Sequence, residues 1–234
     1  MAAHPPFISL SSLPGFDPRT VPVVSVDTHL PAVSVSELTL PALQARFRRQ
    51  VQWEPELLAE PRFTDRSPAA ASVLLAIVER EQPTVLLTQR TQHLSTHSGQ
   101  IAFPGGRQDP HDQSLIATAL REAQEEVGLM PEYVDVLGTL PIYRTASAFI
   151  VTPVVGILRG GFSFVRNPGE VDAIFEVPLA FLMNPANHRR HVVDVGGTAR
   201  EWLSMSYHDG ITERFIWGAT AGMLRNFYRY LVAR

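Results

Sequence analysis

Apolar and polar positions along this chain follow two periods, and the switches between them mark its elements. Ala71 to Glu79 and Thr84 to Arg90 are short runs rich in aliphatic and β-branched residues. Separated by Arg80-Glu81-Gln82-Pro83, they read as the strands of a hairpin. Val134 to Leu140 and Ile150 to Leu158 read as two further strands. Between the second and third strands Ile116, Ala119, Leu120, Ala123 and Val127 recur at i, i+3, i+4, i+7 and i+11, the core-facing stripe of a helix. That helix is bounded at about Gln113 and Val127, with Asp112 at the N-cap position and Gly128 at a left-handed C-cap. Gly218 to Val232 carries a second stripe of Met223, Leu224, Phe227 and Leu231. Strands mixed with helices on both sides predict an α/β protein, an α/β/α sandwich around a mixed β-sheet. Pro41 to Gln52 predicts a short helix with a face for a second subunit, in a homodimer. Residues 1–38 are rich in Pro, Ser and Val without either period, and predict an irregular extension that drapes over the domain or stays mobile.

The polar side of the helix over 113–127 carries the chemistry. Glu122, Glu125 and Glu126 stand at i, i+3 and i+4, so they are surface neighbours, and Glu122 and Glu126 flank the apolar stripe. A Glu-rich helix face is ordinarily just solvated, and Arg121 with Glu125 is an i, i+4 pair worth about 0.2–0.5 kcal/mol. The context differs, because the loop Pro104 to His111 with Gly105-Gly106 runs straight into the helix. Three carboxylates beside a glycine turn call for a cation among them. Mg²⁺ suits them, since it takes oxygen ligands, keeps waters and bridges carboxylates to substrate phosphates.

This segment resembles the Nudix box of the Nudix hydrolases, whose second half is matched by Arg121, Glu122, Ala123, Glu125, Glu126, Gly128 and Leu129. The first half differs. The loop from Gly106 is one residue longer, and Asp112 stands where the family has its first Glu, so Asp112 is assigned to the N-cap. The difference is shared with one subgroup, the coenzyme A pyrophosphatases, which Thr118 to Leu129 matches throughout. The subgroup's upstream signature is similar to Leu86-Leu87-Thr88-Gln89-Arg90 followed by Gly99-Gln100-Ile101-Ala102-Phe103-Pro104-Gly105-Gly106, with Ser95 where a basic residue is usual. Further similarity at Val151 to Gly156, Asn167 to Leu179 and Phe215 to Gly222 extends the resemblance over about Val73 to Leu231.

The resemblance implies a single Nudix hydrolase domain over 39–234, with the box at about 106–129. It implies metal-dependent cleavage of the pyrophosphate bond of CoA and acyl-CoA to 3′,5′-ADP and 4′-phosphopantetheine. The implied metal, Mg²⁺ or Mn²⁺, is held by Glu122 and Glu126 with the backbone carbonyl near Gly106, and Glu125 joins a second metal or is held by Arg121, which orients the cluster. The general base is Glu125 in the box, or Glu170, Asp172 or Glu176 outside it. Arg90, His97 and Arg107 are the candidate phosphate contacts. Two alternatives stand beside this reading: hydrolysis of another nucleoside diphosphate derivative such as ADP-ribose, and a non-catalytic Nudix module that binds a nucleotide.

Composition narrows the partners. The chain has 234 residues, 45% of them hydrophobic, enough for a sizeable core. A net charge of −3 with no basic stripe gives no case for nucleic acid, and Arg46, Arg48, Arg49, Arg62 and Arg66 read as a modest solvated group. The absence of cysteine excludes disulfides and a thiol nucleophile and fits a reducing compartment. No basic segment followed by an apolar core opens the chain, and the longest apolar run, Ala69 to Val78, is shorter than the ~20 residues of a membrane span. The expectation is a cytoplasmic enzyme acting on a small molecule, with neither nucleic acid nor membrane as partner.

Overall fold

The computed structural model describes residues 10, 15–61, 64, 66–93, 98–195, 197–210 and 212–234. Its strands, in chain order, are β1 (Val23–Val26), β2 (Ala69–Val78), β3 (Thr84–Arg90), β4 (Ile101–Ala102), β5 (Gly105–Arg107), β6 (Val134–Thr139), β7 (Tyr143–Arg144), β8 (Phe149–Leu158), β9 (Val171–Pro178), β10 (Arg189–Val195), β11 (Thr198–Asp209) and β12 (Thr212–Trp217). The helices are α1 (Leu40–Arg48), α2 (Leu115–Val127), α3 (Leu179–Leu182) and α4 (Gly218–Val232).

The larger sheet runs β4-β3-β2-β8-β6, with β5 also on β2, β7 on β8 and β9 on β3. β2 and β8 are parallel from Ala69↔Phe149 to Val78↔Leu158, whereas β2–β3, β3–β9 and β6–β8 are antiparallel, so the sheet is mixed. Parallel neighbours need a long crossover, and the one between β2 and β8 carries α2. Alternation along the strands sorts the apolar side chains to two faces. Leu74, Ala76, Val78, Leu86, Val154 and Leu158 pack against Ala119, Ala123 and Val127 of α2. Leu75, Ile77, Val85, Leu87, Val155 and Ile157 point the other way, into a core with Leu43 of α1 and Leu224, Phe227 and Leu231 of α4. The result is the α/β/α sandwich expected.

A second, antiparallel sheet, β1-β10-β11-β12, was not anticipated. Its Leu203, Met205 and Ile216 join the α4 core.

Two expectations are corrected. α2 starts at Leu115, and its N-cap is Ser114, whose Oγ accepts the Ala117 N–H at 3.1 Å, so Asp112 is released for another task. Residues 1–38 are not irregular throughout, because β1 pairs with β10 and Val35–Leu38 forms a 3₁₀ turn that buries Leu38. The short helix expected over 41–52 is present as α1, and it packs within the chain. The Phe47 ring lies 4.9 Å from that of Tyr230, Gln44 Nε2 donates to Asp135 at 3.0 Å, and Arg46 donates to the carbonyls of Tyr230 and Ala233. Among the described residues no helix is long and apolar enough to cross a membrane.

Candidate active site

β5 is a strand of two glycines and an arginine, and what it approaches explains the glycines. Gly105 and Gly106 pair with Val73 and Ser72 of β2. A Cβ on Gly105 would lie 2.4 Å from the Ser72 carbonyl oxygen, and one on Gly106 would lie 2.5 Å from Glu122 Oε2. The glycines therefore let the strand slot between β2 and the carboxylates of α2.

Glu126 sits on the buried edge of α2. Its Oε2 accepts the Gly105 N–H at 3.2 Å, and its Oε1 lies 3.6 Å from Arg90 Nη1. Burial pushes its carboxyl up to about 7; the Glu170 and Glu122 charges push the same way, while Arg90 and the Gly105 N–H oppose them. Glu122 is also pushed up, first by burial and then by Glu125 and Glu170, against the pull of Arg121 at 3.0 Å. Two of the three box carboxylates are thus held where ionisation is unfavourable without an added positive charge.

Arg121 organises the cluster from behind. Its Nε and Nη2 each donate to Asp112 at 2.9 Å, its Nη1 to Glu125 at 3.0 Å, and its Nη2 also to the Arg107 carbonyl at 3.1 Å. Asp112 further accepts from Thr118 Oγ1 and from the Asp109 N–H, both at 2.9 Å. The Arg121 fork holds the Asp112 carboxyl well below the usual carboxylate range. Asp112, which the sequence assigned to the N-cap, is a brace for Arg121. No signal in the sequence marks that role, since nine residues is not a helical spacing.

A cavity of about 420 Å³ opens over this centre, and Glu122, Glu126, Glu170, Arg90, Arg107 and Gly106 all line it. Glu125 is left outside, its side chain 55% exposed and paired with Arg121. Of the bases proposed beyond the box, Glu170 alone reaches the cavity. Asp172 faces Arg166 at 3.9 Å, and Glu176 is bound by Arg80 at 2.6 Å and by Thr84. His97, Ser95 and Arg62 lie outside the described residues. Sequence reasoning missed Glu60, Trp202 and Trp217, which line the same cavity and belong to no periodic pattern.

Among the described residues no three His, Cys, Asp or Glu side chains are already gathered as a ligand set. A hard cation that keeps several waters needs fewer, with one or two carboxylates sufficing beside a substrate phosphate. Glu122 and Glu126, both destabilised as anions, with the Gly106 backbone against the Glu122 carboxylate, fit such an ion.

A family profile described as the NUDIX domain matches residues 67–194. The chain is 43% identical over 198 residues to the uncharacterized Nudix hydrolase NudL of Salmonella dublin, which covers 82% of this chain and 95% of that one. The same figures hold for NudL of Salmonella agona, 43% over 198 residues with 82% and 95% covered. Among solved structures, the MutT protein of Methanosarcina mazei Go1 aligns with TM-score 0.41 and 22% identity over 51% of this chain and 83% of that one.

Proposed function

Since the chain belongs to the Nudix hydrolase family, we propose that it is a cytoplasmic enzyme that hydrolyses the pyrophosphate bond of coenzyme A and its thioesters. The products are 3′,5′-ADP and (acyl-)4′-phosphopantetheine. Nudix hydrolases use divalent metal ions, and the observation that supports this chemistry is the convergence of Glu122, Glu126 and Glu170 with Arg90 and Arg107 in one cavity. The CoA assignment is supported by the signature Leu86 to Arg90 and Gly99 to Gly106 upstream of the box.

Each residue has a task. Glu122, Glu126 and the Gly106 carbonyl would hold Mg²⁺ or Mn²⁺, which when bound neutralises phosphate charge and acidifies water. Arg121 fixes the Glu122 carboxylate at 3.0 Å and keeps Glu125 out of the cavity. Arg90 and Arg107 meet the phosphate oxygens, and His97 belongs to the same set by sequence. Glu170, the cavity carboxylate whose charge bears on both Glu122 and Glu126, takes the proton from the attacking water; Glu125, exposed on the far side of Arg121, is the alternative base inside the box.

The test is product analysis after incubation with CoA, acetyl-CoA, ADP-ribose and diadenosine polyphosphates in Mg²⁺ and in Mn²⁺. Release of 3′,5′-ADP from CoA, abolished by EDTA and by Glu126→Gln, is expected. Glu170→Gln should lower kcat by roughly 10²–10⁴-fold, and Glu125→Gln by much less. Cleavage chiefly of ADP-ribose would keep the chemistry and discard CoA, while no turnover of any compound would leave a nucleotide-binding module.

A further inference from the structure

Glu60 is a half-buried carboxyl that the hydrolytic centre does not use, and it faces the same cavity. It arrives there from a stretch outside the larger sheet. Its backbone N–H donates to the Arg144 carbonyl at 2.8 Å, and the Arg144 N–H donates to Leu58 at 2.9 Å, which clamps the segment onto β7. The carboxyl is then held at both oxygens. Oε1 accepts from the Tyr143 hydroxyl at 3.3 Å, and Oε2 accepts the Ala146 N–H at 2.9 Å.

Both partners are fixed in turn. The Tyr143 ring is buried against α4, where a Cβ on Gly222 would lie 2.6 Å from its hydroxyl, so a glycine keeps its place open. Ala146 lies in a turn closed by the Ala148 N–H on Thr145 at 3.2 Å and the Thr145 N–H on Phe149 at 2.9 Å. That turn holds Ala148 at φ 66, a left-handed conformation that alanine adopts only at a cost. Backbone held in a costly conformation beside a cavity is characteristic of a site kept for a ligand.

The surroundings select the ligand class. Phe103, Phe149, Val151, Trp202, Trp217 and Met223 give the cavity that Glu60 lines an apolar wall. Burial pushes Glu60 up, opposed by the Ala146 N–H and the Tyr143 hydroxyl, and among the described residues no cation adds to that opposition. A carboxyl that carries its proton has one O–H to donate and lone pairs to accept, and an ionised one accepts only. A secondary amide offers the matching carbonyl and N–H, with methylenes on either side to cover the apolar wall.

We propose that this part of the cavity binds the arm of the substrate beyond the pyrophosphate, and that Glu60 is its polar anchor, pairing with a secondary amide. The identity of that arm as pantetheine, which carries two such amides between apolar links, rests on the function proposed above. The anchor itself rests on Glu60, Tyr143 and Ala146.

The experiment measures binding by calorimetry of 4′-phosphopantetheine and of an amide-free alkyl phosphate of the same chain length. It uses the full chain as wild type, Glu60→Ala and Glu60→Gln, with melting curves to confirm folding. Wild type should prefer phosphopantetheine by roughly tenfold or more, and Glu60→Ala should lose roughly 5- to 20-fold of that preference. Glu60→Gln, whose amide also donates and accepts, should stay within about threefold of wild type. An unchanged preference in Glu60→Ala, or a loss in Glu60→Gln equal to that in Glu60→Ala, overturns the anchor. The two readings fail separately. Glu60-dependent binding of phosphopantetheine without cleavage of CoA removes the function and keeps the anchor, whereas CoA cleavage without Glu60 dependence does the reverse.

Discussion

His188 shows how one neighbour decides a protonation state. It is fully buried, with Nδ1 at 3.0 Å from Arg225 Nη1 and Nε2 at 2.8 Å from the Leu182 carbonyl. Arginine has no lone pair to offer, so Nδ1 accepts and Nε2 carries the proton. A second proton would point at the guanidinium. Burial first, and then the Arg225 charge, bring its pKa down to about 4, despite the Leu182 carbonyl, Asp27 and Glu56. The folded pKa lies below the unfolded value of roughly 6.5, so the unfolded chain is protonated first as pH falls. The contribution is whole above about 6.5 and is lost towards about 4, on the order of 2–3 kcal/mol. Glu60 and Glu126, pushed up by burial, act with the opposite sign: their contribution is present at low pH and lost as pH rises through the folded value. The net curve mixes these terms, and a variant separates them. Denaturant unfolding of wild type and His188→Asn between pH 4.5 and 7 should show the advantage of wild type shrinking as pH falls, and a constant difference would refute the assignment. None of this was legible from an isolated His between Asn187 and Arg189. The box carboxylates were, because Glu122 and Glu126 stand one turn apart beside an apolar stripe.

An element is legible when its own period is long and its end has its own chemistry. α4 runs over Gly218–Val232 and the β2–β3 hairpin forms where the sequence places it, because each carries an apolar stripe or run of sufficient length. α2 ends at Gly128 for a local reason: its φ of 69 is left-handed, and its N–H caps Gln124 at 3.0 Å. A Cβ there would also lie 2.9 Å from Val165 Cβ and 3.1 Å from Val165 N, and that N–H is tied to the Val127 carbonyl at 2.9 Å. Gly128→Ala should therefore lose the roughly 1–2 kcal/mol of a left-handed alanine and more for the contact, lowering the melting temperature by about 3–8 °C. A melt within 1 °C of wild type, on the order of a third of a kcal/mol, would show that the cap relaxes freely. The strands that escaped notice lack such signals. β1 has three exposed residues of four, β5 has two glycines where strands disfavour them, and the middle of β11 is covered on both sides, so Trp202, Leu203, Ser204 and Met205 are all buried and no alternation survives. Glu170 was one of several loop carboxylates in the sequence, and only the sheet's return through β9 sets it opposite Glu126.

At the scale of the molecule, four charged residues from four remote stretches tie the second sheet and the N-terminal segment to α4. Asp27 accepts Arg190 Nε at 3.0 Å and Nη2 at 2.8 Å, and also lies 3.0 Å from Arg225 Nη1. Glu56 takes Arg225 Nε at 2.7 Å and Arg190 Nη2 at 2.6 Å. Two carboxylates and two guanidiniums balance, which lets Asp27 and Arg225 be buried to 3% and 1% exposure. The Arg190 fork and the Arg225 charge hold Asp27 below the usual carboxylate range although its burial acts against them. Such a network contributes little over an apolar core of the same volume, yet breaking it is costly because the remaining charges stay buried. No spacing links positions 27, 56, 190 and 225, so the network exists only once β10, α4 and the N-terminal segment have met. Asp27→Ala would leave two guanidiniums sharing Glu56, and should cost about 3–5 kcal/mol in urea unfolding. Glu79→Ala is the control, since Glu79 faces Arg159 at 3.9 Å with both side chains nearly half exposed. It should cost less than about 1 kcal/mol. Equal shifts in the two variants would mean that water reaches the Asp27 cluster, and that apolar packing alone joins the two sheets.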